Sequence, residues 1–191
     1  MNRGGIFVWK ALQWFFWTLA ILNIGYWASL SLKGRWSQAD GARELARAET
    51  ANLSPPSLSP ATGDVVGRLE IPRLSLSTVV FEGADADVLE RGAGHLPGSA
   101  LPGDRGNTVV AAHRDTFFRS LRGIRVGDVV RIHRPHKDLA YVVQSARVVE
   151  PDEVDVMKPT QAPALTLITC YPFRYIGPAP ERFVVRAVLT P

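Results

Sequence analysis

Two hydrophobic patterns divide the chain. Residues 11–32 run for 22 positions without a charged side chain, and as a helix rising about 1.5 Å per residue they reach about 33 Å, the thickness of a bilayer core. From Asp64 onward the pattern becomes short β-type runs at 65–71, 78–81, 108–112, 128–134, 139–149, 164–169 and 182–189. Turn residues such as Gly98, Gly103, Gly106, Gly127 and Gly177 separate them. Seven or eight strands at that spacing predict an all-β domain, closed as a barrel or packed as a sandwich. Only 85–91 and 116–121 leave room for a helical turn, and no internal repeat or heptad pattern is present.

The apolar segment predicts an uncleaved membrane anchor. All five tryptophans, Trp9, Trp14, Trp17, Trp27 and Trp36, lie in the first 36 residues, and such residues favour membrane interfaces. A cleaved signal peptide is the competing reading, but bulky Tyr26 and Trp27 crowd the small-residue cleavage site near Ala28. Arg3 and Lys10 before the span nearly balance Lys33 and Arg35 after it, so charge alone leaves the orientation open. With so few residues on one side, the economical topology is a single pass through the plasma membrane with the folded domain outside. The expected organisation is therefore a short cytoplasmic N-terminus at 1–10, an anchor at 11–32, an extracytoplasmic stalk at 33–63 and a folded domain at 64–191. Within the stalk, 41–49 predicts a short charged helix, and Ser54-Pro55-Pro56-Ser57-Leu58-Ser59-Pro60 breaks regular structure. The spacing role of that proline-rich piece competes with a plain disordered tether.

Charge then removes one class of function. The net charge of +4 arises from six Lys/Arg against three Asp/Glu in residues 1–60, whereas residues 61–191 hold sixteen against fifteen. A nearly neutral domain gives no support to nucleic-acid binding.

Candidate chemistry centres on Cys170, the single cysteine. It cannot form an intramolecular disulfide, and a thiolate metal site normally needs several ligands. Its ordinary use would be as a small buried hydrophobe, so its neighbours decide. His113 ends the apolar run Thr108-Val109-Val110-Ala111-Ala112, where a strand end meets a loop. His95 lies in a glycine and proline loop and reads as a turn or packing residue, while His133 and His136 flank Pro135 in a solvated basic turn. An imidazole that takes the thiol proton and later donates it to a leaving amine completes a nucleophile–base pair. Arg182 opens the run after the one carrying Cys170, and a guanidinium there would stabilise an oxyanion. Asp115 is assigned no catalytic task, since it equally caps a turn or pairs with Arg119.

These residues resemble the sortases, membrane-anchored cysteine transpeptidases of bacterial surfaces, across roughly residues 64–190. Thr166-Leu167-Ile168-Thr169-Cys170 fits the family's TLxTC signature, and the family's arginine is matched by Arg182 in Ala179-Pro180-Glu181-Arg182-Phe183. His113 is matched by the family's histidine, preceded by Gly94-His95-Leu96-Pro97-Gly98 and Pro102-Gly103-Asp104-Arg105-Gly106-Asn107. Val79-Val80-Phe81-Glu82-Gly83, His113-Arg114-Asp115-Thr116-Phe117-Phe118 and Cys170-Tyr171-Pro172-Phe173 are most similar to class D; Ala112 departs from the glycine usual before the histidine.

The resemblance implies an eight-stranded barrel with Cys170 and Arg182 on neighbouring strands and His113 near the mouth. It implies cleavage of an LPxTG-like or LPxTA-like sorting signal through a thioacyl-enzyme, then transfer to an amine from cell-wall peptide or a protein subunit. Thr169, before the cysteine, would line the substrate groove; its competing use is packing as a β-branched strand residue. No cofactor is expected. Glu150, Asp152, Glu153 and Asp155 lack calcium-loop spacing and read as a solvated loop. The other readings are a hydrolase with the same residues, an L,D-transpeptidase, whose Ser-x-Gly-Cys context is absent, and a non-catalytic tethered binding module.

Overall fold

The computed structural model describes residues 3–50 and 60–190. Two compact units divide the chain, residues 1–36 and Ser37–Pro191.

The first unit belongs to a helix, α1 (Arg3–Thr50). Among its described side chains Trp14 is 72% exposed, Leu22 71% and Ile24 68%. Among the described residues no helix is long and apolar enough to cross a membrane. The spanning helix expected at 11–32 is thus not supported. Gln13 and Asn23 interrupt the apolar run, and its tryptophans carry polar N–H groups that suit an interface better than a hydrocarbon core.

In the second unit eight strands close a barrel in the order β1-β2-β3-β4-β7-β8-β6-β5. They are β1 (Val65–Ile71), β2 (Leu76–Glu82), β3 (Ala93–His95), β4 (Asn107–Ala111), β5 (Val129–Arg134), β6 (Lys137–Val149), β7 (Ala164–Tyr171) and β8 (Glu181–Leu189). Neighbours pair antiparallel except β2 with β3 and β4 with β7. Closure leaves no free sheet edge. Alternate side chains point inward, so Leu69, Ile71, Val110, Ile132, Tyr141, Leu165, Leu167 and Val185 form the core, all at most 1% exposed. The Tyr141 hydroxyl accepts from Gly103 N at 2.8 Å, and burial pushes its ionisation upward despite that bond.

The short strand β3 was not anticipated. It lies in a glycine-rich stretch, and Gly94 is required there because a Cβ would meet Gly83 O at 2.3 Å. His95, read as a turn or packing residue, packs: it is 2% exposed on this strand, with Nδ1 at 2.6 Å from Glu82 Oε2 and Nε2 at 2.9 Å from Ser99 Oγ. Helix α2 (Ala86–Arg91) fills the expected helical position, and Asp85 caps it by accepting from Val88 N. A 3₁₀ turn, Arg119–Gly123, overlaps the other, expected at 116–121.

The end of α1 is built into this unit. Gln38 donates to Arg91 O and accepts from Val79 N, both at 2.7 Å. Gly41 and Leu45 are buried, and a Cβ on Gly41 would stand 2.9 Å from Val79 Cγ1. This part of the expected 33–63 stalk thus packs against β2. The proline-rich piece lies, Pro60 apart, outside the described residues.

Candidate active site

Strand pairing brings two of the expected residues together. β7 and β8 run antiparallel with Thr166 opposite Arg186, Ile168 opposite Val184, and Cys170 opposite Arg182. These positions face outward, because Leu165, Leu167 and Thr169 take the inward places of β7. Cys170 is partly buried. The Arg182 Nη1 donates to Ala179 O at 3.2 Å and Glu181 O at 2.9 Å. This anchors the head of the side chain to the backbone, while the other guanidinium N–H groups have no partner among the described residues.

His113 comes from the strand on the other side of β7. β4 runs parallel to β7 with Ala111 opposite Ile168, and Ala112 N donates to Ile168 O at 3.2 Å. His113 follows Ala111 by two residues just past the end of β4, as Cys170 follows Ile168 on β7, so the register carries both to the same end of the strand pair. His113 is exposed, and its carbonyl accepts from Phe118 N at 3.0 Å, which turns the chain out of the barrel. Its imidazole has no hydrogen-bond partner among the described residues.

Thr169 faces away from Cys170. Its side chain is 3% exposed, and its hydroxyl donates to Ala112 O at 2.7 Å. The hydroxyl thereby ties the strand of Cys170 to the peptide preceding His113.

The outer face leading to Cys170 has an apolar and a polar part. Val149, Val156 and Val184 pack together with Met157 and Ile168. A 3₁₀ turn, Val154–Met157, lies in the acidic run that was expected as a solvated loop. Asn107 holds this connection by donating to Val156 O at 3.1 Å and Lys158 O at 3.2 Å. Asn107 Oδ1 accepts from Thr166 at 2.7 Å, and Thr166 accepts from Arg186 at 2.9 Å. Burial, and then nearby Arg147, lower the Arg186 ionisation from its ordinary value. Two acids of the run are occupied by cations, Glu153 by Arg147 at 2.5 Å and Asp155 by Lys158 at 2.8 Å.

Sequence reasoning missed Arg114. Its Nη2 donates to Tyr175 O at 3.1 Å and Gly177 O at 3.3 Å, so the residue after His113 holds the β7–β8 connection. That connection leaves β7 through a cis Tyr171–Pro172 peptide. Tyr171, Phe173 and Phe183 pack around its base with ring centroids 5.2–6.3 Å apart. The sequence signal was only the His113-Arg114 pair; nothing local shows what the arginine reaches.

A thiol on β7, a guanidinium on β8 and an imidazole just past the end of β4 are a set that can support acyl transfer. A family model described as Sortase domain matches residues 69–190. The chain belongs to the sortase family. Within it, this sortase is most like class D: it is 36% identical over 130 residues to Sortase D of Bacillus subtilis, a match covering 68% of this chain and 66% of that protein. The matched part thus spans just under two thirds of that relative. Among solved structures, a Clostridium perfringens Sortase D5 transpeptidase superposes with a TM-score of 0.69 at 24% identity, covering 83% of this chain and 98% of that one. That similarity supports the fold. A sortase C of Clostridium perfringens, solved with the C-terminal cell wall sorting motif, is 31% identical with a TM-score of 0.64, covering 81% and 88%.

Proposed function

We propose that this sortase is a cysteine transpeptidase that cleaves an LPxTG-like or LPxTA-like sorting signal and transfers the acyl part to an amine. The observation that carries this reading is the register that sets Cys170 opposite Arg182 and at the same end of the strand pair as His113.

The Cys170 sulfur, as thiolate, attacks the carbonyl carbon of the motif's threonine. The carbon–sulfur bond forms, and the electron pair moves to oxygen, where Arg182 stabilises the charge. As the intermediate collapses, the carbon–nitrogen bond breaks and His113 protonates the departing amine. An acceptor amine then attacks the thioester, gives its proton to His113, and expels the Cys170 thiolate. Thr169 acts by holding Ala112, and so the level of His113. Acceptors are cell-wall peptides or protein subunits, and donors are surface proteins with a C-terminal sorting signal.

The N-terminal helix attaches the enzyme to the plasma membrane, with the barrel on the extracytoplasmic side. Support comes from the uncharged run at 11–32 and the exposed Trp14, Leu22 and Ile24. Flotation of the full chain with liposomes tests this; recovery only in the soluble fraction would refute it. The chemistry is tested by mass spectrometry of LPxTG and LPxTA peptides incubated with the full chain and triglycine. A ligated product that vanishes in Cys170→Ala is expected. Acid product alone, insensitive to triglycine, would instead make the protein a hydrolase.

A further inference from the structure

Beside the catalytic residues lies a second, cationic feature that the reaction above does not use. A cavity of about 350 Å³ is lined by Asp115, Arg119, Arg122, Phe173 and Arg174. Arg119 and Arg122 stand three apart on the 3₁₀ turn Arg119–Gly123, and residues i and i+3 of such a turn eclipse. Their guanidiniums therefore project from one side. The turn is rooted in the barrel by Phe118 and Leu121, both 0% exposed. Arg174 enters from the β7–β8 connection, and Phe173 is fixed by the aromatic cluster, 5.2 Å from Phe183.

None of the three guanidiniums has an ion-pair or hydrogen-bond partner among the described residues. Elsewhere on the surface, Arg73 and Arg147 are paired with Asp128 and Glu153. Three like charges around one cavity repel one another, and Asp115 offsets only one of them. The cavity is thus suited to an anion.

Its location restricts which anion. Asp115 follows His113 by two residues, and Phe173 follows Cys170 by three. The acceptor must give its proton to the same imidazole that protonated the departing amine, so it enters where that amine left. The atoms next to the acceptor's amine then lie on the His113 side of Cys170, towards this cavity. We propose that the cavity is the acceptor subsite and selects an amine acceptor that carries a free carboxylate, such as a peptide with an unblocked C-terminus. This rests on the transpeptidase reading and adds the acceptor's chemical class.

The test uses the full chain, an LPxTG peptide as donor, and two matched acceptor pairs, diglycine with diglycinamide and triglycine with triglycinamide. Peptide amines of this kind titrate at about 8, so carboxylate rather than basicity separates each pair. At low salt, at least one acid acceptor should have a KM tenfold or more below its amide. That gap should shrink at 1 M salt, where screening falls to about 3 Å. Replacing all three arginines, R119Q/R122Q/R174Q, should close the gap by raising the acid's KM alone. Equal KM for acid and amide in both pairs would overturn the proposal, as would a triple variant whose defect appears in donor KM, which would assign the cavity to the departing segment.

A second readout does not depend on turnover. In Cys170→Ala protein, triglycine should shift the backbone amide NMR signals of residues 115–122 and 173–174, and triglycinamide should not. Equal shifts, or none, would overturn the subsite even if ligation proceeds. If no peptide is ligated but these shifts are selective for the acid, the transpeptidase reading fails and the anion site stands.

Discussion

Thr169→Val keeps the shape of a buried β-branched side chain and removes one hydroxyl. That hydroxyl donates to Ala112 O at 2.7 Å from a side chain 3% exposed. Leaving a buried carbonyl without its donor costs about 1–3 kcal/mol. For a chain of this size each kcal/mol lowers Tm by about 2–4 °C, so the expected loss is about 2–12 °C. The catalytic effect has a separate origin. Ala112 would keep only its 3.2 Å bond to Ile168 O at this point, and a displacement of about 1 Å in a reacting group costs about 10²-fold. The assay is the rate of Cys170 thioacyl formation from a sorting peptide across pH, beside thermal unfolding. Thr169→Ser retains the donor and should restore both. A Thr169→Val protein with wild-type Tm and acylation rate would refute the positioning role. A defect confined to donor KM, with Tm unchanged, would instead mean that the side chain meets substrate.

Arg182→Ala should lower acylation about 10²–10³-fold, the loss typical of an oxyanion donor, with little change in donor KM; a wild-type rate would move that role to another arginine. Gly41→Leu forces side-chain atoms into Val79 and Phe81, so it should cost about 1–3 kcal/mol or release residues 38–46 from the barrel; hydrogen exchange of those residues distinguishes the two. Arg73 donates to both carboxylate oxygens of Asp128 at 2.5 Å, and this bonding holds the Asp128 carboxyl below its ordinary range. A depressed carboxylate stabilises the fold above its unfolded pKa of about 3.9, and that contribution is lost as pH falls through the lower folded value. Arg73→Gln should therefore lower Tm at pH 7 and match wild type near pH 2. A deficit that persists unchanged at pH 2 would contradict this.

The long strands were legible because alternation is local: 65–71 coincides with β1, and 139–149 and 164–169 fall inside β6 and β7. β3 was not, since three residues among glycines carry no periodicity and exist as a strand only by pairing with β2 and β4. The same limit applies to His95. Its burial against Glu82 depends on a parallel pairing that spacing does not reveal. The helix expected at 41–49 is part of a longer one because nothing at Ser37–Asp40 breaks it, and its docking depends on Val79 and Phe81, remote in sequence. Cys170 and Arg182 were legible as neighbours because consecutive antiparallel strands pair. His113 was legible as a base candidate from its place at the end of an apolar run, but its level relative to Cys170 depended on a parallel crossover that spacing does not reveal. For the tether from Arg114 to the β7–β8 connection the sequence offered only the His113-Arg114 pair, which does not show what the arginine reaches.

The central claim is that Cys170 carries the acyl group, and the most direct test is intact-protein mass spectrometry of the full chain mixed with an LPxTG peptide, followed by peptide mapping. The account predicts a hydroxylamine-labile adduct equal to the acyl part of the peptide, located on Cys170 and lost when triglycine is added. Peptide cleavage that persists in Cys170→Ala, or an adduct on any other residue, would contradict it.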